Sequence, residues 1–190
     1  MLQVLIEIND RYSLPEMAQM AVEAGCGWIV LGGGISEAEK REHYPAIVEL
    51  CRESGVMLTA TADVEAAKEY GLHGVFLPLG AASPLKVREE LGAEAVIGAE
   101  AGEGSVILEL ERADIDYVAV RPDAKVASII ADVRGAGSNF PIVAYAEGAS
   151  LEEAAILKET GYSGICCGKA LFELADPIER IVQLREFLMK

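Results

Sequence analysis

Eight times along the chain, a short run of almost purely apolar residues is followed by a segment with helical spacing. The runs are VLIEIN (residues 4–9), WIVLG (28–32), VMLTAT (56–61), GVFLP (74–78), AVIGAE (95–100), DYVAV (116–120), PIVAYA (141–146) and GICCG (164–168). A strand with one wet face alternates apolar and polar residues. A strand that is apolar nearly throughout has both faces covered, which is the mark of a parallel sheet packed under helices. Eight βα units in succession, with no reversal, predict an α/β fold: a closed (β/α)8 TIM barrel in a single compact domain over residues 1–190. A doubly wound open sheet is the competing arrangement. The chain has 190 residues, fewer than the ~250 typical of such barrels, so helices and loops must be minimal.

The helices carry their own start signals. In SLPEMAQMAVEAG, Ser13 and Glu16 stand at capping-box spacing, and Pro15 falls in the first turn where its missing N–H costs nothing. Leu14, Met17, Ala18, Ala21 and Val22 share one face, and Gly25 ends the helix. The later helices are expected over 36–54, 63–70, 83–91, 105–112 (weak), 124–136, 150–160 and 177–189, the last preceded by a short turn at 170–174.

A formal net charge of -15 argues against a nucleic-acid partner and against docking to anionic lipid. No apolar run approaches the ~20 residues of a membrane span. The opening MLQVLIEINDRYS has no basic stretch ahead of its apolar residues, so it reads as a strand rather than an export signal, and a cytoplasmic location is expected. Cys26, Cys51, Cys166 and Cys167 match no zinc spacing and read as reduced, buried thiols, and His43 and His73 have no partner at metal-ligand spacing.

In a barrel of this kind, chemistry sits where the strands end. The strand ends supply Glu7, Gly32–Gly34, Thr61, Asp63, Pro78, Glu100, Arg121, Asp123, Lys125, Tyr145, Glu147, Gly168 and Lys169. The carboxylates can offer oxygen ligands to a divalent cation, or serve as ordinary helix caps, a role that suits Asp63 and Asp123. The loops YAEGAS and CCGKAL place glycine directly before a helix start, so Gly148, Ala149, Gly168 and Lys169 are candidates for holding a phosphate on backbone N–H groups.

The order of these motifs resembles the thiamine phosphate synthase and thiazole tautomerase superfamily from end to end. IEINDRY is similar to that family's opening I-T-D-R-Y. AVEAGCGWIVLGGG resembles A-x-x-G-G-V-x-W-V-Q-L-R-x-K, and AAKEYGLHGVFLPLG resembles A-x-x-x-G-A-D-G-V-H-L-G-Q. ADIDYVAVRP resembles G-A-D-Y-V-x-x-G-P, FPIVAYAEG resembles P-V-V-A-I-G-G-I, and TGYSGICCGKALFELADP resembles G-A-D-G-V-A-V-V-S-A-I-F-x-A-x-D-P. The resemblance implies a role in thiamine biosynthesis with a small phosphorylated or heterocyclic ligand and magnesium. It also exposes departures. Where the family grips a pyrophosphate with Gln, Arg and Lys, this chain has Val30, Gly32 and Gly34, leaving Gly32-Gly33-Gly34 as a bare turn. The family's metal-binding Asn-Asp falls on Thr61 and Ala62, beside Asp63, and a second metal carboxylate falls on Ala81. The loop RPDAK is shortened, with Lys125 standing near the family's lysine.

Three readings remain open from the sequence. One is an enzyme with altered chemistry, a transferase or isomerase, in which Glu100 serves as base, Lys125 and Lys169 stabilise charge, and Tyr145 assists. The second is a non-catalytic binding or structural barrel. The third is an active thiamine phosphate synthase with a rebuilt site, Asp63 helping to hold magnesium.

Overall fold

The structure, a computed structural model, describes residues 1–122, 125–146 and 150–190. Eight strands form one closed barrel in the order β1 to β8: β1 (Leu2–Ile6), β2 (Trp28–Leu31), β3 (Met57–Thr61), β4 (Gly74–Leu77), β5 (Val96–Glu100), β6 (Tyr117–Val120), β7 (Ile142–Ala146) and β8 (Gly164–Cys167). Between and after them lie α1 (Leu14–Glu23), α2 (Glu37–Ser54), α3 (Val64–Tyr70), α4 (Pro84–Leu91), α5 (Gly104–Arg112), α6 (Val126–Gly135), α7 (Leu151–Thr160), α8 (Lys169–Glu173) and α9 (Pro177–Met189). Every pairing is parallel, and β1 pairs with both β2 and β8, which closes the ring and excludes the open sheet.

The apolar strands sort into two cores by alternation. Val4, Ile6, Ile29, Leu31, Leu58, Val75, Ile97, Val118, Ile142 and Ile165 pack outward against the helices. Leu5, Trp28, Val30, Phe76, Tyr117, Ala119, Val143 and Cys166 form a separate cluster inside the ring. Successive side chains on a strand point to opposite faces, so a run such as WIVL serves both cores at once. The small side chains on the inner face of α1, Ala18 and Ala21, are fully buried and let that helix sit close to the sheet.

The helix starts follow the cap chemistry. Ser13 with Glu16 and Ser36 with Glu39 each form a reciprocal capping box. Most boundaries fall within two residues of the sequence expectation, and the first strand differs most. The first strand runs Leu2–Ile6 rather than 4–9, because its pairing with β8 begins at Leu2 and its pairing with β2 ends at Ile6 opposite Leu31. Beyond it, the Asn9 side chain accepts from the N–H groups of Arg11 and Tyr12 at 2.7 and 3.3 Å and turns the chain into α1. The expected turn at 170–174 is the short helix α8. All four cysteines are buried, and among the described residues no helix is long and apolar enough to cross a membrane.

Candidate functional site

The inward faces of the strands leave a cavity of about 100 Å³ at the C-terminal end of the barrel. Its floor is Gln3 and Tyr117, its wall includes Leu5, Val30, Phe76, Ala119 and Cys166, and its rim carries Glu7, Thr61, Pro78, Glu100, Arg121 and Tyr145. The register explains the set. Gln3, Leu5 and Glu7 alternate along β1 and the residue after it, as Tyr117, Ala119 and Arg121 do along β6 and the residue after it, so these two strands each line the cavity from floor to rim.

The floor is built around one aromatic ring. Tyr117 meets Trp28 edge-to-face with centroids 5.1 Å apart and stacks on Phe76 at 6.3 Å. Gly98 faces it on β5, and a Cβ there would lie 2.1 Å from Tyr117 Cζ, so the missing side chain is the space the ring fills. Trp28 Nε1 donates to Thr59 Oγ1 at 3.0 Å. Burial raises the Tyr117 hydroxyl pKa well above its ordinary value, and burial likewise pushes up the Cys166 thiol, so both hold their protons at neutral pH and Cys166 is no thiolate nucleophile.

At the rim, Arg121 Nε donates to Glu100 Oε1 at 3.0 Å while its guanidinium lies over the Tyr145 ring, 5.2 Å from the centroid. The other Glu100 oxygen accepts from the Leu79 N–H at 3.2 Å. The structure therefore brings together two of the sequence candidates, Glu100 and Tyr145, and joins them through an arginine that the sequence reading placed on the rim without a role. The signal was there: Arg121 stands where the resemblance has glycine. Gln3 and Tyr117 were not singled out either. Counting back by twos from Glu7 and from Arg121 reaches both.

The glycine turn has a physical cause. Gly32 donates its N–H to Ile6 O at 2.8 Å, and a Cβ on Gly32 would lie 2.4 Å from Glu7 Cγ. Gly34 has φ +78, in the left-handed region that favours glycine, and Gly33 is exposed between them. The Glu7 side chain thus stands against the position to which the resemblance assigns a pyrophosphate-binding arginine.

The remaining candidates lie away from the cavity lining. Asp63 caps α3, its Oδ1 accepting from Ala66 N at 2.9 Å, and its Oδ2 pairs with Lys40. Both oxygens hold protein groups. Among the described residues no three His, Cys, Asp or Glu side chains converge. Lys125 is exposed at the start of α6, its carbonyl accepting from Ser128 Oγ at 2.7 Å. Gly168 is the N-cap of α8, its N–H donated to Ala146 O at 3.3 Å, and Lys169 is the exposed first residue of that helix. Gly148 and Ala149, with Asp123 and Glu147, lie outside the described residues.

Comparison with known proteins agrees with this architecture. A thiamine-phosphate synthase of Bacteroides fragilis is 29% identical over 201 residues, covering 94% of this chain and 95% of that protein. One from Phocaeicola vulgatus is 28% identical over 202 residues, covering 96% and 97%. Among solved structures, a thiamine phosphate pyrophosphorylase from Pyrococcus furiosus superposes with a TM-score of 0.83 at 21% identity, over 99% of this chain and 95% of that one. An orotidine 5'-phosphate decarboxylase from Pyrococcus horikoshii reaches 0.74 at 13% identity, which reflects the shared barrel alone. The thiamine monophosphate synthase family model matches residues 4–171, and with that match across nearly all of the barrel the chain belongs to this family.

Proposed function

We propose that this protein is a thiamine-phosphate-synthase-like barrel of the cytoplasm that holds a small heterocyclic or phosphorylated ligand at the barrel mouth and has lost the machinery for pyrophosphate departure. The observation that carries this reading is the carboxylate of Glu7 against Gly32. Departure of pyrophosphate builds negative charge that cations and metal must meet. Here the turn offers no side-chain donor, and the space beside it is taken by an acid. Removing one such electrostatic stabiliser costs on the order of 10²–10³ in rate, and several missing together leave little even though the losses do not simply add.

What the mouth retains is binding chemistry. The cavity has a flat aromatic wall, and Arg121 waits on Glu100 and Tyr145 at its edge. For a phosphate on the ligand the candidates are Lys169 and Gly168 at the start of α8, with Gly148 and Ala149 of the sequence motif, which lie outside the described residues. Glu100 acts as base only once Arg121 has released it.

The test is a coupled assay of purified protein with hydroxymethylpyrimidine pyrophosphate and thiazole phosphate, with and without magnesium. The expected result is no thiamine phosphate formed, together with calorimetric binding of thiazole phosphate that Lys169→Glu weakens. Turnover near one per second, ordinary for an enzyme, overturns the loss of chemistry. Absence of thiazole phosphate binding overturns the binding reading.

A further inference from the structure

Four successive strand ends on one half of the barrel mouth are tied to one another. The N–H of Leu79, in the loop after β4, donates to one oxygen of Glu100 at the end of β5, at 3.2 Å. The other oxygen accepts from Nε of Arg121, the residue after β6, at 3.0 Å. The Arg121 guanidinium in turn lies over the ring of Tyr145 on β7, 5.2 Å from its centroid. Glu100, Arg121 and Tyr145 all line the cavity, so the guanidinium runs as a chord inside the rim, reaching the strands on both sides of its own. The facing half of the mouth holds the Gly32–Gly34 turn, which has no side chains to set against it. Arg121 stands where the family resemblance has glycine, so this strap belongs to the present chain and not to the barrel as such.

The parts of the strap differ in how firmly they are held. The Glu100 side chain is 15% exposed and is gripped from the β4 side by the Leu79 N–H, so it stays in place when Arg121 leaves. The Arg121 side chain is 65% exposed. Its ion pair therefore stands largely in water, where such pairs are weak and screened by salt. A cation–π contact at an exposed site is weak as well. A long side chain moves between staggered rotamers without any change in the backbone. One fixed post, one mobile bar and a weak contact between them make a two-state element whose open form is within thermal reach.

We propose that Glu100 and Arg121 are the post and the bar of an ionic latch across the mouth, closed at low ionic strength and released by salt or by an anion that competes for the guanidinium. The latch governs entry to the cavity. Its purpose rests on the cavity taking a ligand, as proposed above, but its movement is readable without one.

Cys166 provides the readout, because it lines the cavity and is 5% exposed. The full chain is treated with methyl methanethiosulfonate, a small uncharged reagent. The Cys166 thiolate attacks the sulfenyl sulfur, methanesulfinate leaves, and a methyl disulfide forms on the protein. Peptide mass mapping gives the rate at each cysteine. Cys51 is the control, since it lines a second cavity at the C-terminal ends of α2 and α3. Arg121→Ala is expected to speed Cys166 labelling about five-fold, the scale of one exposed ion pair and one cation–π contact. Loss of a cation by itself disfavours a nearby thiolate and slows labelling, so acceleration reports access. Glu100→Gln keeps the bulk of both side chains and removes only the charge, and a similar acceleration is expected. Raising salt to about 1 M, where the Debye length is about 3 Å, should bring the wild type up to the variants and leave the variants unchanged. The Cys51 rate should stay constant throughout. If Glu100→Gln labels at the wild-type rate, Arg121 is mere bulk and the latch is overturned. It is overturned too if salt has no effect on the wild type, or if Cys51 accelerates along with Cys166, which means a loosened barrel. In each of these cases calorimetric binding of thiazole phosphate still judges the ligand reading on its own.

Discussion

A Cβ at position 98 would sit 2.1 Å from Tyr117 Cζ and 2.3 Å from its Cε1, so the ring and the glycine on the adjacent strand depend on each other. An inserted methyl group has nowhere to go without moving a ring that is wedged between Trp28 and Phe76. Gly98→Ala is therefore expected to cost about 1–3 kcal/mol, the usual range for overpacking a filled core. Urea denaturation measures this, and an unchanged midpoint would show that the floor yields more easily than its packing implies. Gly32 is a different case. Its nearest obstacle is the Cγ of a flexible side chain, with Ile6 O next at 3.1 Å, so the cost of a larger residue there falls mainly on where Glu7 goes. The loss of side-chain donors at Gly32 and Gly34 was legible in the residues alone. That an acid fills the space was not, because Glu7 and Gly32 are brought together only by the pairing of the first two strands.

Helix starts were the most legible elements, since a cap is written in four consecutive residues. Ser36 Oγ accepts from the Glu39 N–H at 3.3 Å, and Glu39 Oε2 accepts from the Ser36 N–H at 2.9 Å. The Ser36 hydroxyl, donating to Glu39 Oε2 at 2.6 Å, and the Ser36 N–H together hold the Glu39 carboxyl below its ordinary value of 4.5, and the Ser13 N–H and hydroxyl do the same for Glu16. A depressed folded-state pKa contributes stability that is fully present above the ordinary value and is lost as pH falls through the lower, folded one. The acid limb of a stability profile should therefore begin to fall below pH 4.5. Ser36→Ala is expected to lower stability by about 1 kcal/mol at neutral pH and to flatten that limb. Thermal melts across pH 3 to 7 check both, and a parallel downward shift at every pH would count against the linkage. The boundaries were less legible than the starts. VLIEIN is apolar enough to be strand throughout, but β1 ends at Ile6, where its partner strand turns away.

Closure of the whole ring depends on one seam between the first and last strands. Leu2, Gln3 and Val4 pair with Ile165, Cys166 and Cys167, and a Cβ on Gly164 would lie 2.4 Å from Met1 O. This obstacle is backbone, which cannot swing aside, so Gly164→Val should push the strands apart and destabilise the entire barrel by at least the ~1–3 kcal/mol of an overpacked core. A denaturation midpoint equal to that of the wild type would show that the seam is not where the ring is held. The barrel itself was determined by the sequence, because eight apolar runs with no wet face require helices on the outside and a packed interior, and parallel succession leaves few ways to close. The rim residues Glu100 and Tyr145 were determined too, as strand ends. The tertiary structure alone decided that Arg121 joins them, that Asp63 holds Lys40 and a helix start instead of facing the cavity, and that Gln3 and Tyr117 share one floor. The physical reason is range. Caps and alternation act over a few neighbouring residues, whereas the cavity is made by side chains far apart in the chain, whose meeting is set by strand register and by which partner reaches each polar atom first.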